Sequence, residues 1–134
     1  MGKNRMAKAG RMVSRFAESN EQITAMDWLR LQHPDVALHT LHIGNERKST
    51  PYAGAIMKRM GILKGASDIF MAWPSKGYHG MFIEVKSKTG RLTPEQKEFL
   101  KRMGIKGYFV EVCYGAEQII DTMKYYLQNG ISQS

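Results

Sequence analysis

The sequence predicts an α/β domain built on a small, mixed β-sheet. Segments with helical periodicity alternate with short strand-like segments, in the order helix, strand, helix, hairpin, helix, strand, helix. The chain has 134 residues, of which 43% are hydrophobic, which is sufficient for one domain with a core of ordinary size. No repeat, low-complexity tract or linker interrupts this order.

The N-terminal region is predicted to contain a basic segment and then a helix. Residues 1–17 carry five basic and no acidic residues, which is typical of either a flexible arm or an extra helix. A helix is predicted to start at Ser19, because Ser19 and Gln22 have the spacing of a capping box. Pro34 is predicted to end it.

A strand and a short helix are predicted next. Residues 37–43, "ALHTLHI", alternate between polar and apolar side chains as a strand does. Residues 49–61 form a helix with Pro51 in its first turn and Gly61 at its end, the positions that these two residue types prefer.

A hairpin and the clearest helix of the sequence follow. Residues 68–73 and 80–87 are rich in strand-forming residues and are joined by a turn that contains proline and glycine. The next helix has Thr93 as its N-cap and Gln96 at the third helical position, which completes a capping box. Gly104 is predicted to close this helix.

The last two elements are a strand and an amphipathic helix. Residues 107–113 form the strand, and its apolar character predicts that Cys113 is a small core residue and not a nucleophile. Residues 115–130 form the helix. Its apolar stripe consists of Ile119, Ile120, Met123 and Leu127.

The composition narrows the classes of function. Lys and Arg number 20 against 12 Asp and Glu, so the formal charge is +8, which suggests nucleic acid as a partner; a solvated basic surface is the alternative. The single cysteine excludes an internal disulfide and a cysteine-rich zinc site. No apolar run approaches the ~20 residues of a membrane span, and the N-terminus lacks an apolar signal core. We therefore expect a soluble, cytoplasmic protein.

Charged side chains within the predicted hairpin indicate chemistry. Along the second strand, Ile83 and Val85 point to one face, and Glu84 and Lys86 point to the other. Hairpin pairing brings Asp68, at the start of the first strand, close to Glu84. Two acids with an adjacent lysine suit metal-assisted phosphodiester hydrolysis, because carboxylate oxygens hold Mg²⁺ and a lysine neutralises charge on the phosphate. A surface salt bridge across the hairpin is the alternative.

Three stretches resemble the VRR-NUC domain, the virus-type replication-repair nuclease branch of the PD-(D/E)XK superfamily. They are "GILKGASDIF", "FIEVKSKTGRLTPEQKEFL" and "GYFVEV". The resemblance runs through most of the chain and implies one nuclease domain over residues 18–134, with a restriction-endonuclease-like core. It also implies a requirement for Mg²⁺, for which Mn²⁺ would substitute. The short chain is similar to stand-alone, phage-type members of the family.

The resemblance implies roles for individual residues. By motif position, Asp68 and Glu84 match the two metal-binding acids, and Lys86 matches the catalytic lysine. Gln96 matches a glutamine that faces the active site, although the capping box alone also explains a glutamine there. The family usually has proline before the first acid, whereas this sequence has Ser67, a difference in backbone rather than in chemistry.

The resemblance also implies a set of metal ligands. It consists of Asp68, Glu84, Val85 and Glu18. The family has a glutamate on the first helix, which Glu18 matches by spacing, while Glu21 lies one turn further on and competes for the same role.

These residues predict a Mg²⁺-dependent DNA endonuclease, selective for branched or four-way junction DNA and acting in replication, repair or recombination. The alternatives are a non-catalytic DNA-binding module on the same fold and a sequence-specific, restriction-type nuclease. A homodimer is expected, because paired cuts in a junction need two sites and a two-fold axis supplies them. Candidate apolar surfaces for the dimer, each of which could equally pack on its own domain, are Tyr125, Tyr126, Ile131, Met6, Met12 and Phe16.

Overall fold

A computed structural model of the chain describes residues 2–44 and 50–128, with the side chains of residues 17–44 and 50–128. The helices are α1 (Gly2–Gln32), α2 (Pro34–Ala37), α3 (Pro51–Met60), α4 (Pro94–Ile105) and α5 (Ala116–Leu127). The strands are β1 (Thr40–His42), β2 (Ile69–Met71), β3 (Met81–Lys86) and β4 (Phe109–Tyr114). The predicted order of elements is confirmed, and the four-residue helix α2 is an addition to it.

The sheet is mixed, as predicted. Its strand order is β1-β2-β3-β4, so that β1 and β4 are the edge strands. β1 pairs with β2 and β2 pairs with β3 in antiparallel fashion, whereas β3 and β4 run parallel. The chain crosses between the two parallel strands through α4, as parallel neighbours require. The central position of β3 places its side chains in the interior on both faces of the sheet.

Helices cover both faces of the sheet. One face packs against α1 and α5, where Ala25, Ile83 and Ile119 belong to a common buried cluster. The other face packs against α4, where Phe82 and Phe99 meet edge to face with ring centroids 5.2 Å apart. Adjacent residues of β3 therefore belong to different clusters, which is the alternation that the sequence predicted.

The first helix extends further toward the N-terminus than predicted. The prediction that a helix starts at Ser19 is wrong, because α1 runs without interruption from Gly2 through that position. Residues 2–18 contain no proline, and most of them are good helix formers, so nothing in this segment stops the helix. The residues at Ser19 and Gln22 match the pattern of a capping box but do not begin the helix. The backbone N–H groups there already bond to carbonyl oxygens of the preceding helical turn, so they need no cap.

The predicted boundaries of the other helices are mostly confirmed. Thr93 and Gln96 form the expected capping box at the start of α4. The predicted stop at Gly104 is wrong, because α4 continues to Ile105 and the chain reverses at Gly107. Gly107 has a φ of +96°, and a Cβ there would lie 2.8 Å from the His79 ring, so this position needs glycine more than Gly104 does.

The C-terminal helix shows which of the two alternatives holds for Tyr126. Tyr126 is fully buried, and its hydroxyl donates a hydrogen bond to the backbone oxygen of Trp73 at 2.6 Å. It therefore belongs to the core and not to a dimer surface, whereas Tyr125 is 54% exposed. The side chains of Met6, Met12, Phe16 and Ile131 lie outside the described part of the chain.

Cys113 is buried, as predicted, and burial raises the pKa of its thiol to about 11. Such a thiol stays protonated at neutral pH and is a poor nucleophile.

Within residues 2–44 and 50–128, no helix is both long and apolar enough to cross a membrane.

Candidate functional site

The hairpin formed by β2 and β3 brings the two predicted acids together. Ile69 pairs with Ile83, and continuing this antiparallel register places Asp68 opposite Glu84. Asp68 Oδ2 accepts a hydrogen bond from the backbone N–H of Val85 at 2.7 Å. The backbone oxygen of Asp68 accepts a second bond, from the N–H of Ile43 at 2.8 Å. The first acid is thus fixed to the backbone beside the second.

Glu84 is a buried carboxylate on the α4 side of the sheet. Only 2% of its surface is exposed, because β3 is a central strand and α4 covers this face. Its Oε2 accepts a hydrogen bond from Gln96 Nε2 at 3.2 Å. Its Oε1 is buried and accepts no hydrogen bond from an N–H group or a hydroxyl of the described residues, and Glu84 also shares a hydrogen bond with the side chain of the second acid, Asp68. A buried carboxyl pair of this kind is costly when both groups are charged, unless a cation lies between them.

The environment of Glu84 opposes its ionisation. The pKa of Glu84 is raised from 4.5 to about 9. Burial is the main cause, and the charge of the neighbouring Asp68 carboxylate is the next. Lys86 acts in the opposite direction, and Glu18 adds a smaller increase. Two ionised carboxylates at this distance repel each other, so the pair is unfavourable unless a cation lies nearby. Such carboxyl pairs with a shifted pKa are common at functional sites.

Lys86 lies next to the acids, on the same side of the sheet as Glu84. Its Nζ is 4.0 Å from Glu84 Oε2, and 13% of its side chain is exposed. The turn after β3 closes over it: a Cβ at Gly90 would lie 3.3 Å from Lys86 Cδ. The stem of the lysine is therefore enclosed by protein, and its ammonium group lies beside Glu84.

Gln96 connects the helix start to the site. Its Oε1 accepts a hydrogen bond from the Thr93 N–H at 2.9 Å, which forms part of the capping box. Its Nε2 donates to Glu84. The capping function and the contact with the site are therefore properties of one side chain and not alternatives.

The structure distinguishes the two glutamates of α1. Glu18 Oε1 accepts a hydrogen bond from the Ser87 N–H at 3.1 Å, just beyond the end of β3. Glu21 Oε2 accepts one from the Ala116 N–H, at the start of α5. Glu18 lies near enough to influence the ionisation of Glu84, whereas Glu21 caps a helix.

The residues present fit a hard divalent cation. Asp68 and Glu84 supply carboxylate oxygens, and Val85 can contribute only its backbone oxygen, because its side chain is hydrocarbon and packs in the core. Among residues 17–44 and 50–128, no three His, Cys, Asp or Glu side chains converge as ligands of one ion. Two carboxylates suit Mg²⁺, which usually keeps several water ligands and binds few protein groups.

Backbone features of the site were not predicted from the sequence. Gly65 has a φ of +93°, and a Cβ there would lie 2.5 Å from the backbone oxygen of Glu95. This close approach lets the loop before Asp68 rest on the first turn of α4. Ser67 is fully buried, and its hydroxyl has no hydrogen-bond partner among the described residues. The glycine in "KGASD" was the available sequence signal for the close approach.

The chain that follows β3 carries several exposed basic side chains. Lys88 and Arg91 lie exposed in the segment between β3 and α4, and Lys97 and Lys101 lie exposed on α4. Lys64 forms an ion pair with Glu95, with Nζ and Oε1 3.4 Å apart. The segment and the helix that follow β3 therefore carry exposed positive charge, which suits contact with a phosphate backbone.

Comparison with known proteins places these features in a family. The model of the VRR-NUC domain matches residues 17–117. A solved structure titled "VRR_NUC domain protein" is 28% identical and superposes with a TM-score of 0.73, over 85% of this chain and 90% of the other. No curated protein matches the chain.

Proposed function

The chain belongs to the VRR-NUC family of nuclease domains, and from this premise we propose that it hydrolyses phosphodiester bonds in DNA with a divalent metal held by Asp68 and Glu84. The observation that carries the proposal is the buried Glu84 carboxylate, which lies beside a second carboxylate and a lysine. Mg²⁺ is the expected ion, and Mn²⁺ is expected to substitute for it.

Each residue of the site has a distinct part in this proposal. A bound Mg²⁺ would polarise the phosphodiester and lower the pKa of a water molecule. The Val85 N–H holds Asp68 in place, and Gln96 holds Glu84, so that both carboxylates are oriented before substrate arrives. Lys86 neutralises the negative charge that develops on the phosphate and orients the attacking water. Glu18 lies at the edge of the site, where a further carboxylate can influence the metal or its water ligands.

Branched DNA is the proposed preferred substrate. The chain is strongly basic, with a formal charge of +8, but it shows no motif for reading bases. Contacts to phosphates follow the shape of DNA and carry little sequence information. We therefore expect discrimination by DNA structure, such as splayed or four-way junctions, and little discrimination by sequence.

A homodimer is part of the proposal. One site cuts one strand, whereas resolving a four-way junction takes two matched cuts, and a two-fold axis supplies two equivalent sites. Tyr125, which is 54% exposed, remains a candidate contact from the predicted surface. Light scattering tests the dimer: we expect a mass of twice the 15.3 kDa of one chain. A single-chain mass with and without junction DNA would contradict it.

Cleavage by purified protein tests the function. We expect cutting of junction and splayed DNA in Mg²⁺, no cutting in EDTA, and slower cutting of intact duplex. Asp68→Asn and Glu84→Gln should each reduce cleavage by more than about 100-fold while DNA binding is retained, because the amide keeps the shape and removes the charge. Glu98→Gln, which changes an exposed carboxylate on α4, is the matched control and should cut normally.

Two outcomes would contradict the proposed function. Near-normal cutting by Asp68→Asn would show that the metal is held elsewhere. Tight binding to junction DNA without cleavage by the wild-type protein, in either Mg²⁺ or Mn²⁺, would instead identify a non-catalytic DNA-binding module.

A further inference from the structure

Helix α3 exposes an apolar surface. Tyr52, Ile56 and Met60 follow one another at intervals of four residues and are 78%, 37% and 79% exposed. Leu63, just after the helix, is 51% exposed. No residue of α3 is buried, and the half-buried residues are on its other side, at Ala53, Gly54 and Met57. The exposed stripe therefore points away from the domain, and within the described residues nothing covers it.

The C-terminal end of this helix leads into a segment that contacts the candidate site. The segment that follows it rests on the first turn of α4, through the ion pair between Lys64 and Glu95 and the close approach of Gly65 to the Glu95 backbone. The next residue, Gln96, donates its hydrogen bond to Glu84. The stripe therefore ends, at Leu63, beside the segment that contacts the first turn of α4.

The charge around the helix indicates what class of molecule binds the exposed stripe. Residues 50–67 contain three basic and no acidic residues. Arg59 follows Ile56 by three positions and Tyr52 by seven, so it shares the apolar face. In a symmetric contact between two copies of α3 the arginine would find no acidic partner within residues 50–67, whereas a nucleic acid brings phosphates to it. Unpaired bases also bring flat apolar faces that match Tyr52 and Met60.

We propose that α3 is a docking helix for unpaired nucleotides of branched DNA, with Tyr52 stacking on an exposed base. This inference rests on the proposed nuclease function and adds the part of the substrate that is recognised. Ile56 and Met60 contact the neighbouring base faces, and Arg59 contacts the phosphate between them. Bases within an intact duplex are already stacked on their neighbours, so the same surface contributes little to duplex binding. The helix thereby distinguishes a branch point from uninterrupted DNA.

Binding measurements on uncleaved DNA test this role. In the Asp68→Asn protein, the added change Tyr52→Ala should weaken binding to a splayed duplex by about tenfold or more and duplex binding by less than about twofold. Tyr52→Trp should retain splayed binding, because indole stacks as well as phenol does. Fluorescence of 2-aminopurine in the unpaired arm should be quenched on binding, and Tyr52→Ala should remove that quenching. Leu31→Ala is the matched control, since Leu31 is 81% exposed on a different helix.

Three outcomes would overturn the inference. Unchanged splayed binding by Tyr52→Ala would show that the tyrosine does not contact DNA. Equal losses on splayed and intact duplex would show that it does not distinguish unpaired bases. A lower mass of the Tyr52→Ala protein in light scattering would identify the stripe as an interface between copies of this chain.

The same data separate this inference from the proposed function. A wild-type protein that cuts no DNA, combined with Tyr52-dependent quenching, would refute the nuclease function and leave the docking helix in place. Normal cleavage by the wild-type protein, combined with DNA binding and quenching that do not depend on Tyr52, would support the nuclease function and refute the docking helix.

Discussion

Glu84→Gln should stabilise the metal-free protein, and the gain should increase with pH. In the folded protein, burial and the Asp68 carboxylate raise the pKa of Glu84 from 4.5 to about 9. Between these two values the unfolded chain binds fewer protons at this residue than the folded protein does. Stability therefore falls as pH rises through this window, by about 1.4 kcal/mol for each pH unit. A glutamine at this position resembles the protonated acid and lacks this dependence.

The expected magnitude follows from that slope. Between pH 6 and pH 8, the difference in unfolding free energy between Glu84→Gln and wild type should grow by about 3 kcal/mol in favour of the variant. Urea denaturation in EDTA at pH 6, 7 and 8 measures it, and Glu98→Gln is the control because Glu98 is exposed. Excess Mg²⁺ should reverse the order, because a bound cation stabilises the ionised pair only in the wild type.

A constant difference across this pH range would refute the reasoning. It would mean that Glu84 is already ionised near pH 6 in the folded protein, and hence that burial and Asp68 do not hold its proton. A wild type that gains stability relative to the variant as pH rises would contradict the sign as well.

Two further predictions concern the lysine and the close glycine. Lys86→Ala should lose most of the cleavage activity while metal binding, measured by calorimetry, is retained; loss of metal binding instead would make Lys86 a structural residue. Gly65→Ala should destabilise the protein by about 1–3 kcal/mol more than Gly61→Ala, as measured by urea denaturation. Both glycines have positive φ, but only at Gly65 would a Cβ collide with backbone, at 2.5 Å, so equal losses would show that the loop moves aside.

Local signals in the sequence predicted that the main residues of the candidate site lie together. The alternation of β3 and the hairpin register are local properties, and together they brought Asp68 and Glu84 opposite each other. The capping box at Thr93 is local as well, and it was predicted at the correct residues. That Gln96 also reaches Glu84 was implied by the family resemblance and not by the capping pattern.

Features that depend on tertiary packing were not predicted. The sequence left open whether Tyr126 lies at the surface or packs on its own domain, because its burial depends on the Trp73 backbone oxygen, which accepts the hydrogen bond of its hydroxyl. The start of α1 was misplaced, because a capping pattern does not show whether helix already precedes it. The exposure of the α3 stripe was not predicted either. Apolar residues at this spacing usually form the face of a helix that packs against the core.

Calorimetric titration of Mn²⁺ tests most directly the claim that Asp68 and Glu84 form the metal site of this nuclease domain. We predict saturable binding to the wild-type protein, with release of about one proton at pH 7 as Glu84 ionises. Asp68→Asn should abolish this binding, and Glu98→Gln should leave it unchanged. Binding of Mn²⁺ by Asp68→Asn with wild-type affinity would contradict the account.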